Sequence, residues 1–293
     1  AITIFDTTIA AASLNSLDSN TTGLVNAYSV TSLTGTNAEI LAAYTADTAG
    51  TVIIDADATL FVSDSITSTQ ANILNAFTTG VITATISTTA IADLDDLTGT
   101  GNAYTITVAD AQVTAAALNT VNDATTVNVT ANAVTTITGT ASQLTTTYGG
   151  GITGLGNEAV TISDTTVDAA LLITLDSATS GIIDASSITT LTGSDADKAT
   201  VRASNGITGL PGGGGGGGGG DYIVTDTSIS ASDLISLDSQ YETVNASAVN
   251  TIIGTAADIN TVYTAGSAGT ITGLGDEAVT ISDTTVDASS LNT

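Results

Sequence analysis

Gly154–Ala169 reads GLGNEAVTISDTTVDA, and Gly273–Ala288 reads GLGDEAVTISDTTVDA, with Asn157 exchanged for Asp276 and no other change. The aspartate that closes the strand-like VTISD, Asp164 in one copy and Asp283 in the other, has looser counterparts. These are Asp6 (ITIFD), Asp64 (LFVSD), Asp110 (ITVAD) and Asp226 (YIVTD), and the anchors follow one another at steps of 58, 46, 54, 62 and 57 residues. A recurrence of this size marks an array of stacked units.

Each repeat divides into two half-units. In the first, apolar residues follow the anchor at three positions on (Ile9, Val113, Val167, Ile229) and at eight (Leu14, Leu118, Leu172, Leu234). Leu14–Leu17 and Leu172–Leu175 continue it at helical spacing in an Ala-rich context, which predicts a short helix with one buried face. The second half-unit carries a glycine (Gly35, Gly99, Gly139, Gly193, Gly254), preceded by segments such as VNAYSV and VNASAV that alternate with the two-residue period of a strand. A Thr or Ser after that glycine suits a helix N-cap, and Glu39 or Asp258 a few residues on favours the helix start. Tyr44, Tyr148, Arg202 or Tyr263 then closes the second helix, where a tyrosine covers the core with its hydroxyl in water. The Gly99 copy lacks most of this helix, which accounts for the 46-residue step.

Strand and helix in alternation, at roughly 25 to 30 residues per half-unit, predict an α/β repeat solenoid of stacked parallel strands with short helices. The alternative is an all-β parallel solenoid. Residues 1–293 read as one continuous repeat array, beginning inside a strand phrase and stopping inside a repeat, without polar capping units. Its one interruption is the Gly-rich insertion at 211–220, which reads as a surface loop.

Composition removes whole classes of function. His, Cys, Met and Trp are absent, and Lys198 and Arg202 stand alone against 29 acidic residues, giving a net charge of -27. Without a histidine, a thiol or a lysine cluster there is no ordinary base at neutral pH, no thiol nucleophile and no zinc site. The carboxylates follow the repeat and do not gather in one groove, so no catalytic residue, enzyme activity or organic cofactor is expected. A polyanion such as nucleic acid is repelled, and no apolar run is long enough to cross a bilayer. The 42% hydrophobic content and its periodicity argue for a folded chain.

The candidate metal site is the anchor ladder itself: Asp6, Asp64, Asp110, Asp164, Asp226 and Asp283. Equivalent residues of a solenoid line one edge, and with so few cations in the chain the neutralising charge must come from outside. Oxygen-only ligands suit hard ions such as Ca²⁺. The plainer reading is that each aspartate caps a turn through the backbone.

The phrases GITGLGNEAVTISDTTVDA, LDSATSGIIDASSITTLTG and GTAADINTVYTAGSAGTITGL resemble the tandem repeats of very large secreted or surface proteins of bacteria, cyanobacteria in particular. That resemblance implies an extracellular, cell-surface location and a structural or adhesive role, with calcium-dependent folding as a further implication. Copies joined end to end into a fibre or sheath are the first expectation, since solenoid ends expose unpaired rungs. An adhesin or carbohydrate-binding stalk, with surface glycans as partners, is the second.

Overall fold

A computed structural model describes residues 1–210 and 221–286; the insertion at 211–220 lies outside the described residues. Among the described residues ten helices run α1 Ala11–Ser19, α2 Asn37–Ala49, α3 Ser68–Asn75, α4 Ile91–Leu94, α5 Ala115–Asp123, α6 Ala141–Gly149, α7 Ala169–Ala178, α8 Asp195–Ala203, α9 Ala231–Asp238 and α10 Ala256–Ala268. Short strands precede each of them, and neighbouring strands run parallel, as Ile2–Thr3 does to Val25–Ala27 and Ala159–Ile162 to Ile183–Asp184. Parallel neighbours cannot be joined by a tight hairpin, so the chain must cross back between them, and here the helix is the crossover. The chain is therefore an α/β repeat of parallel strands and helices.

Two compact units are distinguished: residues 1–136 with 146–155, and 137–145 with 156–293. In the first, Ile2–Thr3, Val25–Ala27 and Val52–Ile54 form one parallel ladder, with Ile2 opposite Val25 and Val25 opposite Val52. A second ladder contains Thr8–Ala10, Ser32–Gly35, Thr59–Ile66, Ile82–Ile86 and Ala103–Thr105 in that order. In the second unit Val160, Ile183 and Ile207 stand level on successive coils, as do Tyr222, Val244 and Ile271.

Alternation sends one set of side chains inward. Val25, Ala27, Leu33 and Leu60 are fully buried in the first unit, Val244, Ala246 and Ile252 in the second, and the helix positions Leu14, Leu118, Leu172 and Leu234 close the coils from the other side. Burying each of these large aliphatics stabilises the fold by about 1.5–3 kcal/mol. Helix starts are fixed locally. The Thr36 side chain accepts from Glu39 N–H while the Glu39 carboxylate accepts from Thr36 N–H, and Thr67 pairs with Gln70 in the same way. Helices α2 and α10 stop at Gly50 and Gly269, whose φ of 77° and 86° only glycine adopts without strain.

Two expectations are corrected. The Tyr44 hydroxyl is not in water: the side chain is buried, stacked 5.2 Å from Phe77, and burial pushes its phenol up to about 12. Gly99 is not the second landmark of its repeat either. The shortened helix α4 comes before it, and the helix start that Asp110 serves is Ile91.

Candidate functional site

The anchor aspartates sit where one coil meets the next. Asp64 Oδ1 accepts the N–H of Asn37 at 2.7 Å, and Asp110 Oδ2 that of Ile91 at 2.6 Å. In the second unit Asp164 accepts from Ala141 at 2.7 Å, Asp226 from Asp195 at 2.9 Å and Asp283 from Ala256 at 2.6 Å. All five donors are the first residues of helices in the preceding coil. Such N–H groups have no partner inside the helix and lie at its positive end, so a carboxylate there makes a charge-assisted bond. The aspartate thus caps a helix 19 to 31 residues earlier in the chain, and each cap is also a clasp between coils. Asp6 is exposed, and no helix start among the described residues donates to it.

The ladder does not gather its carboxylates. Parallel strands lie about 4.8 Å apart, and the anchors fall on alternate coils. Among the described residues no three His, Cys, Asp or Glu side chains converge on one point. A direct consequence is testable by urea unfolding: Asp64→Ala should cost about 1.5–3 kcal/mol, the range for a bond to a charged group, while Asp6→Ala should change little.

A second coil contact carries no charge. Thr78 Oγ1 accepts the Gly80 N–H at 2.9 Å and donates to the Ala58 carbonyl at 2.7 Å. In the second unit Thr179 does the same with Gly181 at 3.0 Å and the Glu158 carbonyl at 3.0 Å. The signal, Thr-x-Gly after a helix, stands in the sequence but says nothing of the carbonyl one coil back.

One place departs from the repeat. Asp195, fully buried, accepts from Tyr222 Oη at 2.8 Å, Thr225 N–H at 3.1 Å and Asp226 N–H at 3.0 Å, and pairs with Lys198 Nζ at 3.2 Å. The Arg202 guanidinium lies 5.7 Å from the Tyr222 ring centroid and 5.5 Å from that of Tyr241. Burial, then the bond to Asp195, pushes the Tyr222 phenol up. The only two basic residues of the chain thus sit on helix α8 in one cluster. Asp195 and Arg202 are buried, and their contacts to Tyr222, Thr225, Asp226 and Tyr241 hold α8 to the following coils.

Among the clefts formed by the described residues, two are the more voluminous of those characterised. One, about 380 Å³, lies beside Thr67, Asn72, Thr88, Asp93 and Asp96, where α4 is only four residues long. The other, about 440 Å³, borders Tyr263, Ser267 and Leu274. Tyr263 donates to Glu277 at 3.0 Å, and burial with that bond pushes its phenol up to about 12.

No helix of the described residues is long and apolar enough to cross a membrane. No protein-family model, curated protein or solved structure matches the chain significantly.

Proposed function

We propose that this is an extracellular structural repeat protein whose copies join end to end into a cell-surface fibre or sheath. The observation that carries the reading is the sameness of the coil contacts: parallel backbone pairing plus an aspartate on the preceding helix start recurs in both units. A coil of another copy offers the same chemistry as the next coil of the same chain. Asp6 carries the motif with its carboxylate exposed, open to a helix start of an adjoining coil, which in this proposal a second copy contributes. Such a head-to-tail contact propagates.

Calcium belongs to the same proposal. At a net charge of -27, copies repel one another, and Ca²⁺ at Asp6, Asp64, Asp110, Asp164, Asp226 and Asp283 would lower that repulsion and hold filaments side by side. Nothing in the reading calls for catalysis. Sedimentation and electron microscopy of the purified chain, with calcium and with a chelator, test it. Concentration-dependent filaments that bundle in calcium are expected. A monomer at every concentration under both conditions overturns the proposal.

A further inference from the structure

A turn of one design follows helices α1, α3, α5, α7 and α8. A Thr or Ser hydroxyl accepts the N–H of the residue two further on, which fixes the turn locally. Thr21 accepts from Gly23 at 3.0 Å, Thr78 from Gly80 at 2.9 Å, Thr125 from Val127 at 3.1 Å and Thr179 from Gly181 at 3.0 Å. After α8, Ser204 accepts from Gly206 at 3.0 Å. The residue in the middle is Thr22, Thr79, Thr126 or Ser180 in the other turns, and Asn205 in this one. Asn205–Gly206 is the single Asn-Gly pair of the chain, and Asn205 is exposed to water.

The destination of the hydroxyl proton differs as well. Thr78 donates to the Ala58 carbonyl at 2.7 Å, Thr125 to that of Tyr104 at 2.7 Å and Thr179 to that of Glu158 at 3.0 Å. Ser204 donates instead to Asp176 Oδ2, on helix α7, at 2.8 Å. That carboxylate is pressed against the same peptide, for a methyl added to Gly206 would run into Asp176 Oδ1. A line of hydrogen bonds thus leads from the Gly206 N–H through Ser204 Oγ to a carboxylate. A neutral carbonyl takes no proton in water, whereas a carboxylate is a base. The side chain able to cyclise and the base able to assist it occur together in this one turn.

We infer that Asn205 is a self-modification site, converted to aspartate and isoaspartate through a cyclic imide with Gly206. The Gly206 nitrogen bonds to Asn205 Cγ while its proton passes to Ser204 Oγ and the Ser204 proton to Asp176. The Cγ–Nδ2 bond breaks, and Nδ2 leaves as ammonia with the proton that Asp176 returns. Gly206 has no side chain to crowd its nitrogen. Solvent water then opens the ring at one of its two carbonyls. Opening at Cγ gives aspartate. Opening at the main-chain carbonyl gives isoaspartate, whose backbone runs through Cγ and is one carbon longer. The turn holds the nucleophile beside its proton acceptor, which the unfolded chain leaves to chance. The Gly206 carbonyl accepts the Ile183 N–H at 2.7 Å, and Ile207 stands level with Ile183. The extra carbon therefore enters the chain where this coil meets the preceding one.

The test is incubation of the full chain at neutral pH, folded and unfolded in urea, read by site-resolved mass spectrometry and enzymatic isoaspartate methylation. The folded chain should convert Asn205 faster than the unfolded one. Asp176→Asn keeps an acceptor for Ser204 but no base, and Ser204→Ala removes the relay. Each should slow conversion in the folded chain on the order of a hundredfold, the low end of what a placed base contributes. Ser204→Thr, the residue of the other turns, should keep the rate. Asn205→Ser, the residue of the turn after α7, should abolish the signal, and circular dichroism checks that every variant folds. A turn that Asp176→Asn merely loosened would convert at the rate of the unfolded chain, and that result overturns the proposal. So do equal rates in folded wild type and Asp176→Asn, a signal that persists in Asn205→Ser, or an Asn205 that converts in urea and stays intact in the folded chain.

Discussion

Asp195→Ala should unfold the second unit at a markedly lower urea concentration, with a loss of about 3–5 kcal/mol, the range for removing one member of a buried ionic pair. The carboxylate is fully buried and satisfies the Tyr222 hydroxyl, two backbone N–H groups and Lys198 at once. Its removal strands those donors away from water. Three charged residues of α8 replace uncharged ones in the equivalent helices α6 and α10. Asp195 stands where Ala141 and Ala256 do, Lys198 where Leu144 and Ile259 do, and Arg202 where Tyr148 and Tyr263 do. The triple variant Asp195→Ala, Lys198→Ile, Arg202→Tyr therefore restores the ordinary repeat. Replacing a whole buried ionic group by apolar residues is often neutral or stabilising, so the triple variant should recover most of what the single one loses. Equal losses in both would show that the cluster is not a mutually dependent set.

That cluster also marks how far the sequence could be read. The coil, its strands and its helices were legible because burial follows a period: Leu14, Leu118, Leu172 and Leu234 recur eight residues past the anchor and all are fully buried. Helix starts were legible because capping is local, as at Thr36 and Glu39. The role of the anchor aspartate was half legible. A backbone cap was one of its two readings, but the capped helix belongs to another coil, and only the strand register joins Asp64 to Asn37. Gly99 misled because a glycine after Leu-Thr looks alike in a coil start and in a surface turn. At α8 the sequence does carry a signal. Three positions that are uncharged in α2, α6 and α10 become charged together, and such a joint change in one helix means that the residues meet.

Gly181→Ala should be the most damaging single-methyl change in the second unit. A Cβ at this position would lie 2.0 Å from the backbone carbonyl oxygen of Glu158 on the preceding coil. Backbone cannot move aside as a flexible side chain does, so the two coils must separate. Separation breaks the Thr179 bonds to the Glu158 carbonyl and to the Gly181 N–H, both 3.0 Å. Overpacking alone costs about 1–3 kcal/mol, and the lost bonds add about 1 kcal/mol each. For a unit of this size the melting temperature should fall by roughly 10 °C. Gly80→Ala repeats the experiment in the first unit, where the added atom would meet the Asp57 carbonyl oxygen at 2.3 Å. Gly149→Ala is the control, since no atom lies within 4 Å of the new methyl; fewer unfolded conformations make it neutral or slightly stabilising. If Gly181→Ala melted within about 2 °C of the wild type, these coils would not be in contact at the register that places Val160 against Ile183.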